Sequence, residues 1–103
     1  MTKRAPLKVL MTSVGNDAFP AIIEALRSNT EREVYIVGCD IRSDAPGLYI
    51  ANRGYIIPSR ENEKVLLKKI LELCHKEGAR LLYPLSTKDQ EFFASNIDIF
   101  RSH

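Results

Sequence analysis

Two apolar runs of strand length, "LKVLMTS" from Leu7 and "EVYIVGCD" from Glu33, constrain this chain more than any other feature. Neither run has a helical period, and neither alternates as a half-exposed strand would. Both therefore read as strands buried on two faces, the situation of a parallel sheet. Strand one is read as Lys8 to Thr12, and strand two ends at Cys39 or Asp40. Between them Phe19, Ile22, Ile23 and Leu26 recur at spacings of three and four, which predicts an amphipathic helix. Asn16 or Asp17 can cap it, and Pro20 is acceptable in its first turn.

The rest of the chain repeats the pattern. A short helical turn is expected around Leu48 to Asn52, followed by a third strand in "GYIIPS" that Pro58 stops, which favours a sheet edge. Leu66, Leu67, Ile70, Leu71 and Cys74 trace one stripe of a helix from Asn62 to Glu77. Glu61 and Glu63 lie at its positive end, and Gly78 is placed to terminate it. "ARLLYPLS" gives a fourth strand ended by Pro84. Phe92, Phe93, Ile97 and Phe100 then predict one helix, capped by Ser86 or Thr87 and running nearly to the end. With right-handed crossovers, this series predicts a Rossmann-like, three-layer α/β domain with a four-stranded parallel sheet of order 3-2-1-4. The 103 residues suffice for one such domain, 1–103, with residues 1–6 as a flexible tail.

Composition narrows the partners. A formal charge of +2 from bases and acids spread along the chain gives no footprint for nucleic acid or an anionic membrane. No apolar run approaches the roughly 20 residues of a membrane span, and Lys8 interrupts the only early apolar segment, so a cytoplasmic location is expected. Cys39 and Cys74 belong to no C-x-x-C pair and read as reduced core thiols. Cys74 and His75 are adjacent on a helix and so point apart, which argues against a shared nucleophile or metal role. No metal site and no catalytic residue is assigned.

The turn after strand one, "TSVGNDAF", sits where many nucleotide-binding domains hold a phosphate. It has neither the three glycines of G-x-G-x-x-G nor the Gly-Lys-Ser/Thr ending of a P-loop, so it is not a standard phosphate cradle. A phosphoacceptor receiver domain is also excluded, because no acidic pair follows strand one. Ligands of open α/β sheets gather beyond the carboxyl ends of the strands where the strand order reverses, here between strands one and four. That places "TSVGN", Asp40 and "PLSTKD" on one rim.

These residues also carry a family resemblance. "VLMTSVGN", the Asp after "IVGC", "APGLYIANRGYIIPS" and "LLYPLSTKDQEFFA" together resemble the N-terminal pre-ATP-grasp domain of ATP-grasp ligases, especially the carbamoyl-phosphate-synthase-like ones. The resemblance covers nearly the whole chain. One departure is Asn52, where the family pattern has Asp. The resemblance implies a parent enzyme that uses ATP and Mg²⁺ to phosphorylate a carboxylate and passes the acyl phosphate to an amine or related nucleophile. It also implies that those cofactors bind in a separate ATP-grasp module, on the same chain or on a split-gene partner. The present domain, alone, is expected to bind neither and to be inactive. Its expected partners are that module and a small-molecule substrate.

On that reading the substrate-binding candidates are Ser13, Gly15, Asn16, Asp40, Ser86 and Asp89 on the rim, with Asn16 and Asp89 expected as exposed side chains. Each has a plainer role beside it. Gly15 and Asn16 can simply shape and cap the first turn. Asp40 can accept from a ribose or other polyol, or merely cap its own loop. Ser86, Thr87 and Asp89 can contact substrate or form an ordinary helix cap. Tyr49, Tyr55 and Arg53 can pack on the ATP-grasp module or be edge-strand surface. The competing functional class is a free-standing Rossmann-like module that binds a nucleotide or a protein and performs no chemistry.

Overall fold

The computed structural model describes residues 5–28 and 32–102. Of the expected N-terminal tail, residues 1–4 lie outside the described residues, and Ala5 and Pro6 precede the first strand as exposed chain. The elements are β1 (Leu7–Thr12), α1 (Phe19–Arg27), β2 (Val34–Asp40), α2 (Gly47–Ile50), β3 (Arg53–Ile56), a 3-10 turn (Arg60–Asn62), α3 (Glu63–Glu77), β4 (Leu81–Pro84), α4 (Thr87–Ser95) and α5 (Ile97–Arg101). The four strands form one sheet of order β3-β2-β1-β4 in which every neighbouring pair is parallel. Fold class and strand order are those expected from the sequence.

The two central strands explain the apolar runs. Along β1 and β2, successive residues point to opposite faces, and both faces are covered. Val9, Met11 and Ile36 join Phe19 and Ile23 on the side of α1 and α2. Leu10, Val37 and Cys39 join Leu66, Ile70, Leu73, Phe92 and Phe93 on the side of α3 and α4. Phe19, Leu10, Met11 and Ile36 have no exposed surface, and burial of each such side chain contributes about 1.5–3 kcal/mol.

Helix ends follow local chemistry. Asn16 does not cap α1 directly: its Oδ1 accepts from the Ala18 amide at 2.8 Å, forming a side-chain turn that leads into the helix. Pro20 lies in the first turn, as expected. Gly78 ends α3 in the left-handed region at φ 70, with its N–H donating to the Cys74 carbonyl.

The single C-terminal helix expected from the phenylalanine spacing is two helices. Asn96 breaks it, with φ −114 and ψ 18, because its side-chain amide donates to the Phe92 carbonyl at 2.9 Å and substitutes for the next helical donor. The spacing still brings Phe93 and Phe100 together, edge to face, with ring centroids 5.2 Å apart.

The sheet edges differ. β3 carries Arg53, and Pro58 lies two residues beyond its end. β4 pairs only with β1 among the described strands. Its Leu81 and Tyr83 stand in register with Val9 and Met11, hence on the α1 side, and are 51% and 42% exposed. Among the described residues no helix is long and apolar enough to cross a membrane.

Candidate functional site: the rim at the strand carboxyl ends

β1 ends at Thr12, and the chain turns through Ser13 in the left-handed region at φ 57, the one non-glycine residue with positive φ among those described. That conformation costs a residue with a Cβ roughly 1 kcal/mol or more. The turn is held by one hydrogen bond of its own and by two to other segments. Val14 N–H donates to the Cys39 carbonyl at 3.3 Å, Asn16 N–H closes the turn on the Ser13 carbonyl at 2.9 Å, and the Ser13 hydroxyl donates to Asp89 Oδ2.

Asp40 organises the loop after β2. Its Oδ2 accepts from the Gly15 amide at 2.8 Å and its Oδ1 from the Arg42 amide at 3.0 Å. A Cβ on Gly15 would lie 3.0 Å from Asp40 Oδ2 and 3.1 Å from the Ala45 methyl, so glycine lets this loop close on the first turn. Behind it, α2 presses so near that a Cβ on Gly47 would sit 2.0 Å from the Val14 carbonyl oxygen.

On the other side of the switch point, Ser86 caps α4 by accepting from the Asp89 amide at 3.1 Å. Its hydroxyl lies 3.5 Å from that of Ser13. Asn16 spans the same gap: its Nδ2 donates to the Leu85 carbonyl at 3.3 Å. Asp89 accepts from Ser13 on one oxygen and from Arg60 Nη1 at 2.8 Å on the other. Ser13, Asn16, Ser86 and Asp89 are therefore one connected group. Asp40 and Gly15 form a second group joined to it through the first turn.

One expectation needs correction. Asp89 is not an exposed rim side chain: it is 8% exposed and its carboxylate is committed to Ser13 and Arg60 within the domain. Asp40, equally buried, caps its own loop, the plainer of its two expected roles. The reason is that backbone amides freed at the turns, and the Arg60 guanidinium, need acceptors that the strand ends alone do not supply. Of the six candidates, Asn16 and Gly15 are exposed, and Ser13 and Ser86 are half-buried.

Arg60 is the member that sequence reasoning missed. It lies in the irregular "PSREN" connection, where neither periodicity nor a motif marks it, and only the folded chain brings it to Asp89. Beside Gly15 and Asp40, a pocket of about 180 Å³ is also lined by Arg42, Asp44, Ala45 and Pro46. Arg42 forks onto Asp44 through Nε at 3.0 Å and Nη2 at 2.9 Å. The Arg42 hydrogen bonds, more than its charge, hold the Asp44 carboxyl below its ordinary pKa.

The surface offered by Tyr49, Tyr55 and Arg53 is divided. The Tyr55 hydroxyl donates to Glu77, Arg53 lies 3.6 Å from the same carboxylate, and Lys76 Nζ stands 5.3 Å from the Tyr55 ring centre. Tyr49 remains 79% exposed. Asn52 also has an internal role: its Oδ1 accepts from the Ile36 amide at 2.9 Å, extending the β2 edge beyond its pairing with β3.

Chemically, the hydrogen bonds of this rim position its groups. The Ser13 hydroxyl donates to the Asp89 carboxylate, which the Arg60 guanidinium also holds. Both cysteines are free, and burial raises their thiols to about 12 for Cys39 and about 11 for Cys74, which suppresses the thiolate. The Gly15 amide that a phosphate would need is already given to Asp40, and no three His, Cys, Asp or Glu among the described residues are grouped to hold a metal ion.

Comparison with known families decides the lineage, because one family model, described as the PylC-like N-terminal domain, matches residues 9–103. The chain belongs to this family. The match covers β1 from Val9, the other three strands whole and every rim residue named above, so the rim lies within the PylC-like fold. The chain is a pre-ATP-grasp domain of the kind found at the N-terminus of PylC, an ATP-grasp ligase. No curated protein matches the chain.

Proposed function

We propose that this domain is the substrate-side N-terminal domain of a cytoplasmic carboxylate–amine ligase of the ATP-grasp type, acting through an acyl phosphate. The nucleotide and Mg²⁺ belong to the ATP-grasp module that joins it, on the same chain or on a partner. The observation that carries this reading is the rim itself. In a PylC-like chain, Ser13, Asn16, Ser86, Asp89 and Arg60 bridge β1 and β4 at the switch point, where open α/β sheets present ligands. Asp40 and Asp89 act as internal braces, while Asn16 and Gly15 provide the surface that faces the ligase cleft and its small-molecule substrate.

The test is to assay the domain together with its ATP-grasp module. Candidate carboxylates are offered with ATP, Mg²⁺ and hydroxylamine in place of the amine. ADP release with hydroxamate formation is the expected result. ATP-independent binding of a nucleotide or protein by the complete protein, with no hydroxamate from any carboxylate, would instead favour a binding module without chemistry.

A further inference from the structure

Thr12, the last residue of β1, is 3% exposed, and its hydroxyl oxygen is buried with no hydrogen-bond partner. Buried hydroxyls are nearly always satisfied, so this one needs an account. The strand register supplies its direction. Thr12 lies two residues after Leu10, on the α3 and α4 side of the sheet. There it lines a cavity of about 10 Å³ together with Ile57, Leu66, Ile70, Asp89, Phe92 and Phe93.

That volume admits the centre of one water and nothing larger, and a buried water needs at least two polar partners. The cavity offers two, the Thr12 hydroxyl and the Asp89 carboxylate. Each Asp89 oxygen accepts one protein hydrogen bond, from Ser13 or from Arg60, and retains a second lone pair.

We propose that this cavity is a hydration site holding a single ordered water, which satisfies the Thr12 hydroxyl and donates to Asp89. The water then links the end of β1 to the Ser13, Asp89 and Arg60 group from beneath, through a contact no residue pair makes directly. The remaining lining is aliphatic and aromatic, which gives the water no alternative partners and fixes its position.

Two measurements on this chain test the site. A high-resolution crystal structure is expected to show one density peak within about 2.7–3.2 Å of both Thr12 Oγ1 and an Asp89 oxygen. Thr12→Val, which keeps the shape and deletes the hydroxyl, is expected to lose the peak and lower the melting temperature, while Thr12→Ser keeps the peak. An orphan hydroxyl behaves oppositely, since replacing it with a methyl removes an unmet donor and raises the melting temperature. A dry cavity in the wild-type crystal, or a Thr12→Val variant that melts higher, would overturn the proposal. If the valine variant does not fold, the wild-type density decides alone.

Discussion

The hydroxyl of Ser13 donates to the carboxylate of Asp89, 76 residues further along the chain, and so ties the strained turn after β1 to the first turn of α4. The bond offsets the cost of the left-handed backbone at Ser13. Removing either partner therefore has two effects, a lost bond and a released strain. Ser13→Ala and Asp89→Ala should each destabilise the domain by about 1–3 kcal/mol in urea titrations, Asp89→Ala more because it also strands Arg60. The double variant should lose less than the sum of the two, with a coupling of about 1 kcal/mol.

Asp40 should behave as a brace. Asp40→Asn retains one acceptor and opposes the second amide with a donor, so a loss of about 1–2 kcal/mol is expected, with the disturbance confined to amide signals of Gly15, Arg42 and their neighbours.

Asn16 is the contrasting case, exposed and on the same rim. On the proposed function, Asn16→Ala in the protein that carries the ATP-grasp module should lower kcat/KM for the carboxylate or its acceptor about three- to tenfold, beyond the modest loss of stability, about 1 kcal/mol, from its exposed bonds to Ala18 and Leu85. Paired melting and steady-state assays check this. A full loss explained by melting would make Asn16 a turn support only.

The thiols give an alkaline limit. Burial, the leading cause, raises Cys39 from 9.0 to about 12 and Cys74 from 9.0 to about 11 in the folded chain. Between the unfolded and folded values the unfolded chain has lost these protons while the folded chain keeps them. Stability therefore holds below pH 9 and falls as pH rises above it, by up to about 1.4 kcal/mol per pH unit for the buried Cys39 thiol and by less for the half-buried Cys74, which solvent screens. Urea titrations from pH 8 to the alkaline range should show this decline, and Cys39→Ala should flatten it relative to wild type.

Two glycines should fail differently when given a methyl. Gly78→Ala meets open space, with Lys8 Cδ at 3.9 Å, and suffers only its positive φ, about 1–2 kcal/mol. Gly47→Ala drives a Cβ against the Val14 carbonyl at 2.0 Å, so backbone must move, and the loss should exceed that at Gly78. Thermal melts of both variants rank them.

Much of this architecture is legible in the sequence because buried parallel strands write themselves as unbroken apolar runs, and "KVLMT" and "VYIVGC" could hardly be anything else. Gly78 and Ser86 are local devices and are equally readable. The Arg60–Asp89 pair is not, since it depends on where a loop crosses the rim after folding. The break at Asn96 escaped for a related reason. A phenylalanine spacing that satisfies the core is the same whether or not one asparagine turns its amide back onto the preceding turn. The burial of Asp40 and Asp89 was hidden too, because a carboxylate at a strand end looks identical in sequence whether it faces a ligand or its own loop.

The two edges of the sheet bear on any contact between copies of this domain. Arg53 lies on β3 and Pro84 within β4, and a charge or a proline on an edge strand discourages the addition of another strand. A sheet with two open edges can propagate into a filament, each copy adding to the last. Here each edge carries its own guard, so the sheet that builds the rim resists growing sideways.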